Sequence, residues 1–161
     1  MTVYLNELHS LPRSNPRLRW KVLKMVHYFL TKENLQNVEL GIILSHDEHL
    51  HQLNTDYRKL DKPTDVLSFP LEEAVNVQNK SAKGEKLTLG EVYISVDRAL
   101  EQAKEDNLSW GYRVLYLLGH GLYHLIGFDH QNEGEEREMD QKVRGLIAMI
   151  KQEAGNGFSP S

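Results

Sequence analysis

The segment HGLYHLIGFDH, residues 120–130, constrains this chain more than any other stretch. It sets His120 and His124 four residues apart within a run from Trp110 to Leu125 that is apolar on nearly every side. Such a run predicts a buried central helix, and residues four apart on a helix lie one above the other on one face. Two imidazoles therefore point the same way from the middle of the core. Gly127, three residues past the second histidine, suits the left-handed turn that ends a helix and lets His130 fold back as a third ligand. Three neutral imidazoles suit zinc and leave one tetrahedral position for water, the arrangement of a catalytic rather than a closed structural site.

Gly119 and Gly121 flank the first histidine inside the same helix. Each costs about 1 kcal/mol relative to alanine there, so close packing or backbone access beside the metal is the expected compensation. Not every histidine belongs to this pattern. His46, His49 and His51 cluster where a strand gives way to a helix, but they lack a pairing that converges on one face, and with His9 and His27 they read as surface or hydrogen-bonded residues.

A chain of 161 residues with 40% hydrophobic residues is large enough for one core, expected over residues 1–154, with a disordered tail at 155–161. There is no cysteine, which excludes disulfides and thiolate ligands and leaves histidine and carboxylate as the strong metal ligands. No apolar run approaches a membrane span, and MTVYLNELHSLPR lacks the hydrophobic stretch of a signal peptide, so a cytoplasmic location is expected. A net charge of -4 argues against a generally basic nucleic-acid binder. Arg13, Arg17, Arg19, Lys21 and Lys24 nevertheless lie close together, as a solvated helix face or as a phosphate track.

Alternating elements predict an α/β domain. Val3 to Leu5 suits a short strand; Pro16 opens a helix with Leu18, Val22, Val26, Phe29 and Leu30 as its stripe. Val38 to Leu44 reads as a strand, Asp47 to about Asp56 as a helix with Leu50 and Leu53 inward, and Thr64 to Pro70 as a strand placed at the sheet edge by its flanking prolines. Leu87 to Ser95 is the fourth strand. Between the last two, EEAVNVQNKSAKGEK is polar and Gly/Ser/Lys-bearing, and residues 72–86 are expected to form a mobile loop that closes over the site. Ser95 and Ser109 are placed to cap two helices, the first with Ala99, Leu100 and Ala103 inward, and a final helix runs from about Glu135 to Gln152.

The ligand spacing matches the metzincin protease signature, in which a glutamate after the first histidine is the general base. Here Gly121 holds that position, so peptide hydrolysis by that route is disfavoured. Three neutral ligands leave the metal's charge uncompensated, which favours an anionic substrate such as a phosphodiester. Arg58, in NTDYRKLDKPTDVLSFP, has the planar fork that suits phosphate oxygens; a surface ion pair is its other reading.

HGLYHLIGFDH, NTDYRKLDKPTDVLSFP and LGEVYIS (Leu89 to Ser95) together resemble the YbeY family of bacterial endoribonucleases, over roughly residues 35–150. The resemblance implies an α/β fold with a four-stranded mixed sheet packed by helices around the metal-bearing one. It implies His120, His124 and His130 as zinc ligands, Arg58 as a functionally important arginine, and Asp129 as a match that orients an imidazole or caps the turn. The implied activity is zinc-dependent cleavage of single-stranded RNA in ribosomal RNA processing, at the small-subunit 3′ end, and in ribosome quality control. Tyr123, Phe128 and Glu91 stand where the family commonly has leucine, tyrosine and aspartate. Two other readings remain open: a degenerate metzincin-like protease, and a noncatalytic ribosome-assembly factor whose zinc only holds the fold.

Overall fold

The computed structural model describes residues 2–7, 16–129 and 132–155. In chain order the elements are β1 (Thr2–Glu7), α1 (Pro16–Lys32), β2 (Val38–Ser45), α2 (Asp47–Arg58), β3 (Val66–Pro70), α3 (Ala74–Ala82), β4 (Leu87–Ser95), α4 (Val96–Glu105), α5 (Trp110–Leu125) and α6 (Glu133–Gly155). The strands form one mixed sheet in the order β1-β2-β4-β3. β1, β2 and β4 run parallel, while β3 pairs antiparallel to β4 at the sheet edge. That edge suits Pro70, which has no N–H to offer a further strand.

One face of the sheet carries α5, with α1 and α6 packed against that helix. Val22, Val26 and Phe29 of α1, Val114, Leu118 and Leu122 of α5, and Met139, Val143 and Leu146 of α6 are all fully buried. Burying such a side chain is worth about 1.5–3 kcal/mol, so the apolar stripe of α5 outweighs the helix cost of its glycines. Those glycines are what bring the layers together. A Cβ at Gly119 would come within 2.6 Å of Val143 and 2.7 Å of Met25, and one at Gly121 within 2.4 Å of Val92. α5 therefore lies directly on β4 and close against α1 and α6.

α2 covers β3 and β4 from the other side. Ser68 and Val92 lie near Gly121 of α5, whereas their strand neighbours Phe69 and Tyr93 meet Tyr57 and His49 of α2, as alternation along a strand requires. Ser95 and Ser109 cap α4 and α5 by accepting from the backbone N–H groups of Arg98 and Tyr112. Leu50 is fully buried, Leu53 half-buried.

Three expectations need correction. Residues 72–86 are not a loop: α3 occupies most of the stretch, with Val77 and Ser81 buried. Its anchor is tertiary, since Ser81 Oγ accepts from Gln36 N–H at 2.8 Å, and a local pair of Lys80 with Glu72 at 2.7 Å adds to it. Leu100, expected inward, is 44% exposed, because Ala99 and Ala103 carry the packed side of α4. Gly155, assigned to the tail, closes α6; the rest of the tail lies outside the described residues.

Candidate metal centre

β3, the end of α2 and the turn after α5 enclose a cleft of about 560 Å³ lined by Arg58, Val66, Ser68, Pro70, His124, Gly127, Phe128 and Asp129. His124 is aimed into it by a backbone anchor. Its Nδ1 lies 2.7 Å from the Phe128 carbonyl oxygen, which can only accept, so Nδ1 carries the hydrogen and Nε2 of the neutral ring keeps its lone pair. That is the tautomer a metal-ligating histidine needs.

The carbonyl is set by the turn. Gly127 has φ +103°, the N–H of Gly127 donates to His124 and that of Phe128 to Tyr123. The Phe128 ring packs edge-on against Tyr123 at 5.2 Å, and the buried Tyr123 hydroxyl donates to Glu33, the residue after α1, at 3.0 Å. Burial, reinforced by the Glu33 carboxylate, pushes the Tyr123 phenol well above its ordinary range. Lys142 of α6 lies over both rings and reaches Glu33 at 3.5 Å.

His120 sits one turn earlier on α5, on the same face, and borders a neighbouring hollow with Tyr116, Glu133, Glu136, Arg137 and Asp140. Its ring packs on Tyr116 at 4.5 Å, and its Nε2 is 4.0 Å from Asp140 Oδ1. Tyr116 donates to Asp140, which also receives Arg144 Nε at 2.8 Å. Burial, helped by Asp140, raises the Tyr116 phenol to about 12. Burial opposes ionisation of Asp140, but the hydrogen bonds from Tyr116 and Arg144 prevail and hold its carboxyl below the usual range.

His130 lies outside the described residues. Among the described residues no three His, Asp or Glu side chains converge as a metal cluster. The donor set nevertheless fits a divalent ion: two imidazoles one turn apart, one with its tautomer held by a carbonyl, and a third histidine in sequence directly after Asp129. Asp129 is exposed at the cleft, and its backbone N–H donates to Glu135 at 3.3 Å.

Arg58 ends α2 and is exposed, with Nη2 donating to the Ser68 carbonyl at 3.2 Å. Ser68 was not among the residues singled out from sequence, yet it ties the site together. Its hydroxyl donates to the Gly121 carbonyl at 2.9 Å, pinning β3 to α5 between the two histidines. A lone serine inside the apolar run DVLSFP was the available signal. Gly121 itself faces the sheet, not the cleft. A glutamate at 121 would be driven into Val92, so this fold has no room for the metzincin base at that position.

The other histidines diverge. His46 meets Asp97 at 3.1 Å, His49 meets Ser45 at 2.7 Å and His51 meets Asp61 at 2.8 Å, three separate polar contacts. Of the basic cluster, Arg17 and Arg19 are exposed on α1, Lys24 pairs with Glu153 at 3.0 Å, and Arg13 lies outside the described residues.

Compared with known families, residues 5–151 match the family described as Endoribonuclease YbeY. The chain belongs to the YbeY family. It is 39% identical over 127 residues to Endoribonuclease YbeY of Aquifex aeolicus, covering 79% of each chain. It is 36% identical over 151 residues to that of Desulforamulus reducens, covering 93% of this chain and 97% of the relative. A solution structure from Thermotoga maritima, 23% identical, aligns over 99% of both chains with a TM-score of 0.58 and shares the fold.

Proposed function

We propose that this YbeY-family protein is a zinc-dependent endoribonuclease that cuts single-stranded RNA in ribosomal RNA processing, acting on the small subunit near the 3′ end of its RNA and in ribosome quality control, in the cytoplasm. The observation that carries the reading is the meeting of Arg58, His124 and Asp129 on one cleft. His120, His124 and His130 would hold the zinc, which when bound supplies a water acidified to a pKa near 7 and charge stabilisation for a phosphoryl oxygen.

The chain's own groups do the rest. The carbonyl of Phe128 keeps the His124 ring from rotating, so Nε2 stays directed at the cleft. Arg58 spends one N–H on Ser68, and its remaining donors face phosphate oxygens of the RNA as charge-assisted contacts. Ser68 is a positioning residue for both, through its carbonyl to Arg58 and its hydroxyl to α5. Asp129, next to His130 in sequence, would orient an imidazole of the set or cap the turn.

Cleavage of a single-stranded RNA by wild type, Arg58→Ala and Arg58→Lys, each with its zinc content measured, tests this reading. Arg58→Ala is expected to keep the fold and the zinc and to lose about 100-fold in turnover, the scale of one transition-state donor. Arg58→Lys recovers only part, because a point charge does not reproduce the fork. Wild-type turnover in Arg58→Ala would remove the arginine from the mechanism.

A further inference from the structure

The last turn of α2 holds a large ring in water. Tyr57 is 70% exposed, yet it is not loose: its ring packs edge-to-face on Phe69 at 5.7 Å and 72°. Phe69 in turn packs on Tyr93 at 5.6 Å, and Tyr93 on His49 at 5.7 Å. In an edge-to-face pair at least one ring face stays uncovered, so Tyr57 is buttressed from the sheet side and presents a flat apolar surface outward.

We propose that Tyr57, supported by Phe69, is a stacking subsite for one unpaired nucleobase of the RNA strand held at Arg58; the proposal rests on the endoribonuclease reading above. Continuity with the cleft is the first argument. Tyr57 is the chain neighbour of Arg58, which lines the cleft and reaches the Ser68 carbonyl of the edge strand β3, while Phe69 faces the α2 side of that same strand, so the aromatic pair stands across the strand edge from the cleft. A phosphate gripped by Arg58 thus brings the adjoining base within reach of the Tyr57 ring.

Charge decides which part of the nucleotide fits there. Glu91 is exposed and pairs in register with Phe69, and it leans toward β2, its Cγ 3.4 Å from where a Cβ of Gly41 would stand. Its carboxylate repels phosphates from this face of the sheet while leaving the rings uncovered. The backbone is kept to the Arg58 side, and a neutral base is what crosses to the aromatic side. With a net charge of -4 the protein is not a generally basic RNA binder, so stacking adds affinity to the Arg58 contact, independently of base identity. Bases inside a duplex are stacked on one another, which makes the subsite selective for single strands.

The test measures kcat and KM of the zinc-loaded protein on a short single-stranded oligoribonucleotide and on the same strand with one abasic position beside the cleaved phosphate. Tyr57→Ala is expected to raise KM about tenfold, the loss of one base stack, with kcat changed less than twofold. Tyr57→Phe and Tyr57→Trp stay within about twofold of wild type in both constants. The abasic strand raises KM for the wild type but not further for Tyr57→Ala. If Tyr57→Ala keeps the wild-type KM, lowers kcat alone, or still suffers the full abasic penalty, the stacking subsite is wrong while the endoribonuclease reading stands. A wild type that neither binds nor cuts RNA overturns both.

Discussion

Two regions of this molecule are rich in histidine, and only one sets two imidazoles on the same helix face. In the α2 region His46, His49 and His51 stand within six residues, yet each is engaged by a different group, Asp97, Ser45 and Asp61. In the α5 region His120 and His124 share one helix face, and His124, its Nδ1 held by the Phe128 carbonyl, lines a cleft. Density of ligand-type residues is therefore a poor guide. What separates the regions is whether the backbone repeats a direction, as it does for residues four apart on one helix.

The largest expected effect tests that contrast directly. A His120→Ala/His124→Ala double variant should fall from about one zinc per chain to near none and lose RNA cleavage. A triple alanine variant at 46, 49 and 51 should keep both. Elemental analysis beside an RNA cleavage assay decides the matter, and zinc lost from the triple variant but kept in the double one would invert the assignment.

A smaller effect sharpens the account of why α5 can serve. Gly121→Ala places a Cβ about where Val92 already stands, 2.4 Å away, and Val92 is fully buried in the sheet. Overpacking of this kind costs about 1–3 kcal/mol. Gly111→Ala on the same helix meets nothing within 4 Å and should gain up to about 1 kcal/mol from helix propensity. Urea unfolding of the two variants should therefore give opposite signs; destabilisation of both would show that backbone freedom, not contact with the sheet, selects these glycines.

The smallest effect belongs to the α2 region. Asp47, between His46 and His49, receives Arg98 Nε at 2.9 Å and Nη2 at 3.0 Å, and this hydrogen bonding holds its carboxyl below the usual range against the cost of burial. A depressed carboxyl stabilises the fold above its unfolded pKa, near 4, and the benefit fades as pH falls through the folded value. The two side chains are 34% and 30% exposed, so Asp47→Asn should cost about 1 kcal/mol at neutral pH. Its stability gap from wild type should close as pH drops below about 4. A gap that is constant with pH would mean that the aspartate acts through shape, not charge.

Much of the scaffold was legible because its signals are local. Ser95 and Ser109 cap α4 and α5 as short polar residues ahead of apolar runs do, Leu87–Ser95 forms β4 as its apolar alternation suggests, and Gly127 takes the positive φ that its place after the second histidine calls for. α3 was illegible for the opposite reason. Its polar residues carry no helical stripe, and it is fixed by Ser81 reaching the turn after α1 and by Val77 in the core, contacts that no local pattern announces. Arg58 could be singled out as a candidate; the lone serine of DVLSFP marked Ser68 but not its partners, which are set only once β3 lies beside α2 and α5.

The sequence by itself determined that α5 is a buried helix bearing two histidines on one face, because apolar content and a four-residue spacing are properties of the chain alone. Only the tertiary structure decided that Gly121 is a contact with the sheet, not a vacant catalytic position, that His120 and His124 border two adjoining hollows, and that Arg58 shares the cleft of His124. Those are distances between residues far apart in the chain, set by how closely the layers pack, and no spacing within a single segment encodes them.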